Sequence, residues 1–448
     1  MRFLIYSLLA ISPLPFASAR PAWQWFWVLF VGVLAVTTFT RIARSGERQW
    51  PPAVTWPVVL IGLFVLWSLV QALVPFSAPS QLGISAVDTV LRARQITSVN
   101  PKLTLGNSIF FLSHLLFFLC VFACCSRRDY AVKLIRFVGI TITVYAAYGF
   151  VVYIAGNEWV LWYKKWASHG ALTSSFVNRN NFATYAGLGL MSLIAYAIYW
   201  AQDELAEGCK GREFLRHVLE TMIVRAWWLP LAIFVTTSAL LLTHSKAGFG
   251  SVAIAVFLLL VTSPNRFGAE TSRIKLITSG AVVAVLAISL FSLSGDILGT
   301  RLQRDATLDF RFLAYPYTLD AIADNPVFGF GLGTFDEVYR YYRGEDVTLY
   351  FDRAHNDYIE IAFTAGIPAA LVLLTAWLVI FTCFVTHLKY GVQYRSFIAL
   401  GLAVMVQLGL HSLVDFSLQM PAVSYTWVAL IAASLAISIR SKRSATAR

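Results

Sequence analysis

Apolar runs about as long as a lipid bilayer is thick recur from one end of this chain to the other, and they leave few architectures open. A hydrocarbon core about 30 Å thick takes about 20 residues of helix, and within it every backbone N–H and C=O needs an internal partner. Residues 3–16, 22–39, 54–74, 108–125, 134–155, 181–200, 226–243, 248–262, 276–294, 368–386, 397–413 and 422–439 are such runs, separated mostly by short polar breaks. The expectation is an all-α polytopic integral membrane protein of about 12 transmembrane helices, with no separate soluble domain. Composition agrees, because 13% of the 448 residues are charged, about half the share usual in a soluble domain.

The net charge of +12 does not point to nucleic acid, since the basic residues are scattered through short loops and form no compact face. With the amino terminus in the cytoplasm, Arg41, Arg44, Arg48, Arg127, Arg128, Lys133, Lys210, Arg212, Arg216, Arg225, Arg266, Arg273, Lys275, Lys389, Arg395, Arg440, Lys442, Arg443 and Arg448 all fall on one side, as the positive-inside rule asks. Ala17-Ser18-Ala19 has the small-x-small form of a signal-peptidase site, but the reading favours an uncleaved first span because only Arg2 precedes it and further spans follow at once. Cys120, Cys124, Cys125, Cys209 and Cys383 fall in the cytoplasmic half or in loops, so no disulfide framework is indicated. The turn at His244-Ser245-Lys246 is short enough that residues 226–262 could be two spans or one long broken helix; two spans are expected.

One long polar interval, residues 295–367, divides an amino-terminal bundle of about nine spans (1–294) from three carboxy-terminal spans and a basic tail (368–448). Within it, residues 308–323 have helical spacing with a bend expected at Pro316, and Asn325-Pro326 stops that helix. Gly329, Gly331 and Gly333 lack the preceding strand of a dinucleotide site, so they read as a packing turn and not a phosphate cradle. A short helix follows over 335–342, and a second begins near Ala354 and ends at Gly366 before Pro368. His355 then sits at a helix start on the outer boundary, with cations at the outer ends of separate spans: Arg179, Lys246 and Arg311. Fixed cations of this kind can stabilise a departing polyphosphate without a metal, and the outer face carries no His-x-x-x-His or Cys-x-x-Cys cluster.

His355-Asn356, nine residues and then Gly366 resembles the hallmark of the O-antigen ligase and O-antigen polymerase superfamily, which reads His, then Asn, Ser or Gln, nine residues, Gly. Three further stretches resemble that family: Asn325-Pro326-Val327-Phe328-Gly329-Phe330-Gly331-Leu332-Gly333-Thr334-Phe335, Phe176-Val177-Asn178-Arg179-Asn180-Asn181-Phe182 and His411-Ser412-Leu413-Val414-Asp415-Phe416. Two positions depart from it: Ala369 stands where the pattern has Gly, Thr or Tyr, and Ser245-Lys246 where many members have Ser-Arg.

The resemblance implies a GT-C-like fold, with short helices in a large periplasmic loop, and a metal-independent, cofactor-free inverting glycosyltransferase of the bacterial inner membrane. Its donor would be an undecaprenyl-diphosphate-linked glycan held among membrane lipids, and its acceptor lipid A-core or another glycan. His355 is then the expected catalytic residue, Arg311, Lys246 and Arg179 bind the diphosphate, and Asn356, Gly366 and Asp415 support the site. Ligase is the leading reading and polymerase the alternative; transfer to protein is disfavoured because an added carboxy-terminal region is missing. A polytopic transporter or flippase is the rival from another class, and it would place ionisable residues near span centres, where His114 is the main one.

Overall fold

The computed structural model describes residues 1–45, 50–73, 97–204, 220, 224–263, 306–390 and 393–446, with the backbone alone at 45, 203–204 and 306–311. In chain order its helices are α1 (Arg2–Ile11), α2 (Pro21–Ser45), α3 (Pro52–Leu73), α4 (Pro101–Cys124), α5 (Arg128–Ile154), α6 (Arg179–Glu204), α7 (Trp228–Leu242), α8 (Lys246–Thr262), α9 (Ala306–Asp324), α10 (Phe335–Tyr342), α11 (Asp357–Ala365), α12 (Ile367–His387), α13 (Arg395–His411) and α14 (Pro421–Thr446). A two-stranded hairpin, β1 (Trp159–Val160) with β2 (Tyr163–Lys164), is the only sheet among the described residues.

Seven of these helices are long and apolar enough to cross a membrane: α2, α3, α4, α5, α6, α12 and α14. The protein is therefore an all-α polytopic membrane protein. The expected spans at 3–16, 226–243, 248–262 and 397–413 correspond to shorter apolar helices of 10–17 residues, and the one at 276–294 lies outside the described residues. All four described cysteines are free and buried.

The segment 226–262 is two helices. His244 takes a left-handed φ of +52° and Ser245 caps α8 by accepting from the Gly248 N–H at 3.2 Å. Tyr196 packs beside Trp228, toward the far end of α6, while Ser245 bonds Asn180 at its near end. The chain therefore runs back along α6 in α7, reverses at His244, and runs forward along it in α8. Close packing there requires small residues: a Cβ at Gly187 would overlap Val252 of α8 and Gln407 of α13. Gln407 is itself committed, donating to the Thr184 carbonyl at 2.9 Å.

The core follows from this arrangement. Helix α14 is the most enclosed of the seven, with 94% of its apolar window buried, against 28% for α2, α3 and α12, which face outward. A smaller apolar cluster lies over one end of the bundle, where Phe330, Phe335 and Phe363 from the polar interval meet with ring centroids 5.0–5.1 Å apart. The opposite end is basic: Arg128 donates to Ser444 at 3.0 Å and lies over the Tyr394 ring.

Gly187→Ala forces a methyl group into a filled three-helix contact and should cost about 1–3 kcal/mol. A lower thermal-unfolding midpoint of the detergent-solubilised protein would report it, while Gly32→Ala, where a Cβ meets nothing within 4 Å, should leave the midpoint unchanged.

Candidate functional site

The His-Asn-nine-Gly pattern is the two ends of one helix. Asn356 is the N-cap of α11, its Oδ1 accepting from the N–H groups of Tyr358 (3.0 Å) and Ile359 (3.2 Å). Its short polar side chain explains why Asn suits that position, since Ser and Asn can both reach back to a first-turn amide. Nine helical residues follow, and Gly366 ends the helix at φ +86°, ψ 158°, a backbone region that side chains avoid. A Cβ at Gly366 would also collide with the Val327 carbonyl, so the glycine is required twice over.

The glycine run preceding it is a packing turn, as expected. The N–H groups of Phe330 and Gly331 donate to the carbonyls of Phe363 (3.2 Å) and Thr364 (2.8 Å), so neither is left to hold a phosphate. Trp67 and Gln71 of α3 donate to the carbonyls of Ala365 (2.8 Å) and Thr364 (3.3 Å). These two residues from the first half of the chain help fix the motif helix, and sequence reading missed them because nothing local marks them.

His355 lies just ahead of the cap, with a left-handed φ of +51° that is rare for a residue bearing a Cβ. The bonds on either side hold it there: Glu360 Oε2 accepts from the Ala354 N–H at 2.9 Å, and Asn356 caps the helix behind it. The His355 side chain is 15% exposed, but its Nδ1 is buried, makes no hydrogen bond among the described residues, and lies 3.7 Å from Asp415 Oδ1. The ring edge carrying Nε2 is thus the one turned away from the protein's carboxylate. Phe416 packs edge-on at 4.8 Å, and the Tyr315 hydroxyl donates to the His355 carbonyl at 3.4 Å.

Asp415 is fully buried between α13 and α14. His411 Nε2 lies 3.1 Å from Oδ2, and the Phe416 N–H donates to Oδ1 at 2.9 Å. Burial alone would raise its pKa, but the contacts with His355, His411 and the Phe416 amide outweigh that and hold the carboxyl well below the usual carboxylate range. Because 3.7 Å is longer than a hydrogen bond, we assign most of this effect to His411 and the amide. Asp357 behaves oppositely: burial pushes its carboxyl up to about 7, although it accepts from Ser412 Oγ (2.8 Å) and Gln419 Nε2 (3.1 Å), and Glu360 and Asp415 nearby add to the rise.

Hydrogen bonds join the remaining motif stretches to this centre. Ser417 Oγ donates to Asn181 Oδ1 at 3.0 Å, and Ser245 Oγ donates to Asn180 Oδ1 at 2.8 Å. The first residues of α6 and α8, Arg179 and Lys246, are therefore brought to neighbouring positions at the same end of the bundle as His355, with Lys246 exposed. Arg311 lies in α9, one helical turn before Tyr315, and its side chain is outside the described residues.

Other outer cations are committed elsewhere. Arg353 pairs with Glu360 at 3.2 Å and Arg340 with Asp336 at 3.3 Å. Lys165 is buried, donating to Asn157 Oδ1 (3.0 Å) and the Ala171 carbonyl (2.6 Å), and that burial pushes its pKa down to about 8. Among the described residues no three or more His, Cys, Asp or Glu side chains are grouped to hold a metal ion.

An all-α multi-pass membrane protein that gathers an imidazole, a buried carboxylate and separate helix-start cations at one face is the class these observations define. Residues 231–374 match the family described as O-antigen ligase, about a third of the chain, from α7 into the first turns of α12. That match supports the likeness to the O-antigen ligase and polymerase superfamily and, with it, an enzyme of glycosyltransferase type. No curated protein matches it. The stretches at 176–182 and 411–416 fall outside the matched residues and reach them through the Asn180–Ser245 and Ser412–Asp357 hydrogen bonds.

Asn356→Ala removes the cap of α11 and should cost about 1 kcal/mol of stability, whereas Asn356→Ser should recover most of it; unfolding midpoints of the two variants compare them directly. Asp357 has a folded-state pKa above its unfolded value, so its contribution to stability is complete below about pH 4 and is lost as pH rises through about 7. The wild-type midpoint should therefore fall between pH 5 and pH 8 by more than that of Asp357→Asn.

Proposed function

We propose that the protein is an O-antigen ligase, transferring glycan from undecaprenyl diphosphate to a hydroxyl of lipid A-core at the periplasmic face of the bacterial inner membrane. The observation that carries this reading is the placement of His355, with Nδ1 buried 3.7 Å from an anionic Asp415 while the side chain stays 15% exposed. A base needs that arrangement: one ring nitrogen faces a carboxylate, and the other offers a lone pair to the incoming hydroxyl.

The step balances without a cofactor. His355 Nε2 takes the acceptor hydroxyl proton as that oxygen bonds to the anomeric carbon. The bond from this carbon to the diphosphate oxygen breaks, and the electron pair leaves with the carrier diphosphate. A single displacement inverts the anomeric configuration. Arg311, Lys246 and Arg179 are assigned to the developing charge on the diphosphate, and Asp415 to the imidazolium that forms. Lys246 contributes one compact ammonium where an arginine would offer a planar fork, so its contact with phosphate is less directional. The donor's prenyl chain lies among membrane lipids.

What supports the periplasmic face is charge. Arg44, Arg127, Arg128, Arg395 and Arg443 lie at helix ends opposite the end that carries His355, as expected for a cytoplasmic surface. Asn356 and Gly366 hold the helix behind the base, and Glu360 holds the Ala354 backbone before it.

His355→Ala should abolish glycan attachment, by at least 100-fold, while membrane insertion and folding persist; near-normal transfer by that variant refutes the assignment of the base. Deleting the gene and resolving the cell's lipopolysaccharide on a gel tests the acceptor. Unladdered core with carrier-linked chains accumulating is the ligase outcome, core bearing one repeat is the polymerase outcome, and an unchanged ladder rejects both.

A further inference from the structure

His411 is a buried imidazole that the mechanism above does not use. It is the last residue of α13, 1% exposed at its side chain, and it meets Asp415 across the end of the helix, four residues on. Its Nε2 bonds Asp415 Oδ2 at 3.1 Å, while its Nδ1 is buried and makes no hydrogen bond among the described residues. An N–H at Nδ1 would find no acceptor there, so the surroundings fit the tautomer that donates from Nε2.

Asp415 thus has two unlike edges. Oδ2 is held by His411, and Oδ1 is held by the Phe416 amide and faces His355 Nδ1 at 3.7 Å. A buried carboxylate held by one donor alone can swing about its χ2 angle, whereas donors on both oxygens fix its plane. The plane decides which way the charge points when an imidazolium forms beside it.

We infer that His411 is a positioning residue for the transfer reaction: by clamping one oxygen of Asp415 it aims the other at His355. The inference rests on the reading of His355 as the base. His411 touches neither donor nor acceptor, and its effect reaches the reaction only through Asp415. A role in folding alone would tie the end of α13 to the turn before α14 without influencing the protonation of His355, and this separates the two.

Other ionisable groups face this centre from each packed element. Asp357 of α11 accepts from Ser412, Glu360 pairs with Arg353 and the Ala354 amide, and Tyr315 of α9 reaches the His355 carbonyl. Asp357 titrates near neutrality and is present in every variant compared, so the informative quantity is the difference between variant and wild-type profiles.

The test uses the full-length protein in lipid nanodiscs, with a synthetic undecaprenyl-diphosphate-linked oligosaccharide as donor and lipid A-core as acceptor. kcat and KM are measured from pH 5 to pH 9 for wild type, His411→Leu, His411→Gln and His355→Ala. His411→Leu should lower kcat about 10- to 100-fold, leave the donor KM within about twofold, and move the acidic limb of the kcat profile to lower pH as the imidazolium loses its aligned carboxylate. His411→Gln, which keeps an N–H donor near the Nε2 position, should restore kcat to within about threefold of wild type and return the limb toward its original place.

A kcat loss with an unmoved limb, or a limb that moves to higher pH, overturns the inference, as does a Leu variant with full activity. If His411→Leu does not fold, the Gln variant decides alone: wild-type kcat and profile support the clamp, and a loss of both overturns it. Failure of the underlying reading is visible separately, because His355→Ala would then retain transfer whatever the His411 variants do.

Discussion

A helix of nine residues has more unpaired end groups than internal hydrogen bonds, so α11 persists only where its ends are satisfied from outside. At its start, Asn356 accepts two amides and the Ser412 carbonyl accepts the Asp357 amide; at its finish, Trp67, Gln71 and the glycine turn take the carbonyls. Those partners come from α3, from the turn after α9 and from the link between α13 and α14. The short helix is therefore the knot through which distant parts of the chain are held in register, and His355 is the residue just before it.

The same economy governs the charges. A carboxylate inside the bundle end is costly unless hydrogen-bonded, and the two in this site meet that demand in different ways. Asp415 has donors on both oxygens and stays anionic, while burial, helped by nearby acids and only partly offset by its bonds to Ser412 and Gln419, pushes Asp357 toward protonation at neutral pH. Neighbouring acids with opposed tendencies let one anion face the imidazole without a second unshielded negative charge beside it. His355 carries backbone strain, and its left-handed conformation is over-determined by the bonds at Ala354 and Asn356.

Several features were legible in the sequence because local physics sets them. Apolar runs of bilayer length gave the class of fold, and most of the expected spans correspond to described helices. The short helix over 335–342 was located to the residue, and the three glycines were read as a turn; the structure explains them by φ values of +65°, +106° and +86°. The helix placed near Ala354 begins later, at Asp357, because the Asn356 side chain competes for its own first-turn amides and makes the cap. Trp67, Gln71 and Ser417 were not legible as site residues, since their partners lie far away in sequence, up to 298 residues in the case of Trp67 and Ala365.

What the chain determined by itself was the set of elements: spans from hydrophobic length, breaks from Pro and Gly, and a capped helix from Asn and Gly at its two ends. Which ring nitrogen faces a carboxylate, and which helix starts lie beside one another at the His355 end of the bundle, was decided only by tertiary packing. The reason is that apolar periodicity specifies which face of a helix is buried but not against which neighbour. That choice was made by long-range polar contacts, Ser245 to Asn180, Ser417 to Asn181 and Ser412 to Asp357, whose partners no local pattern announces.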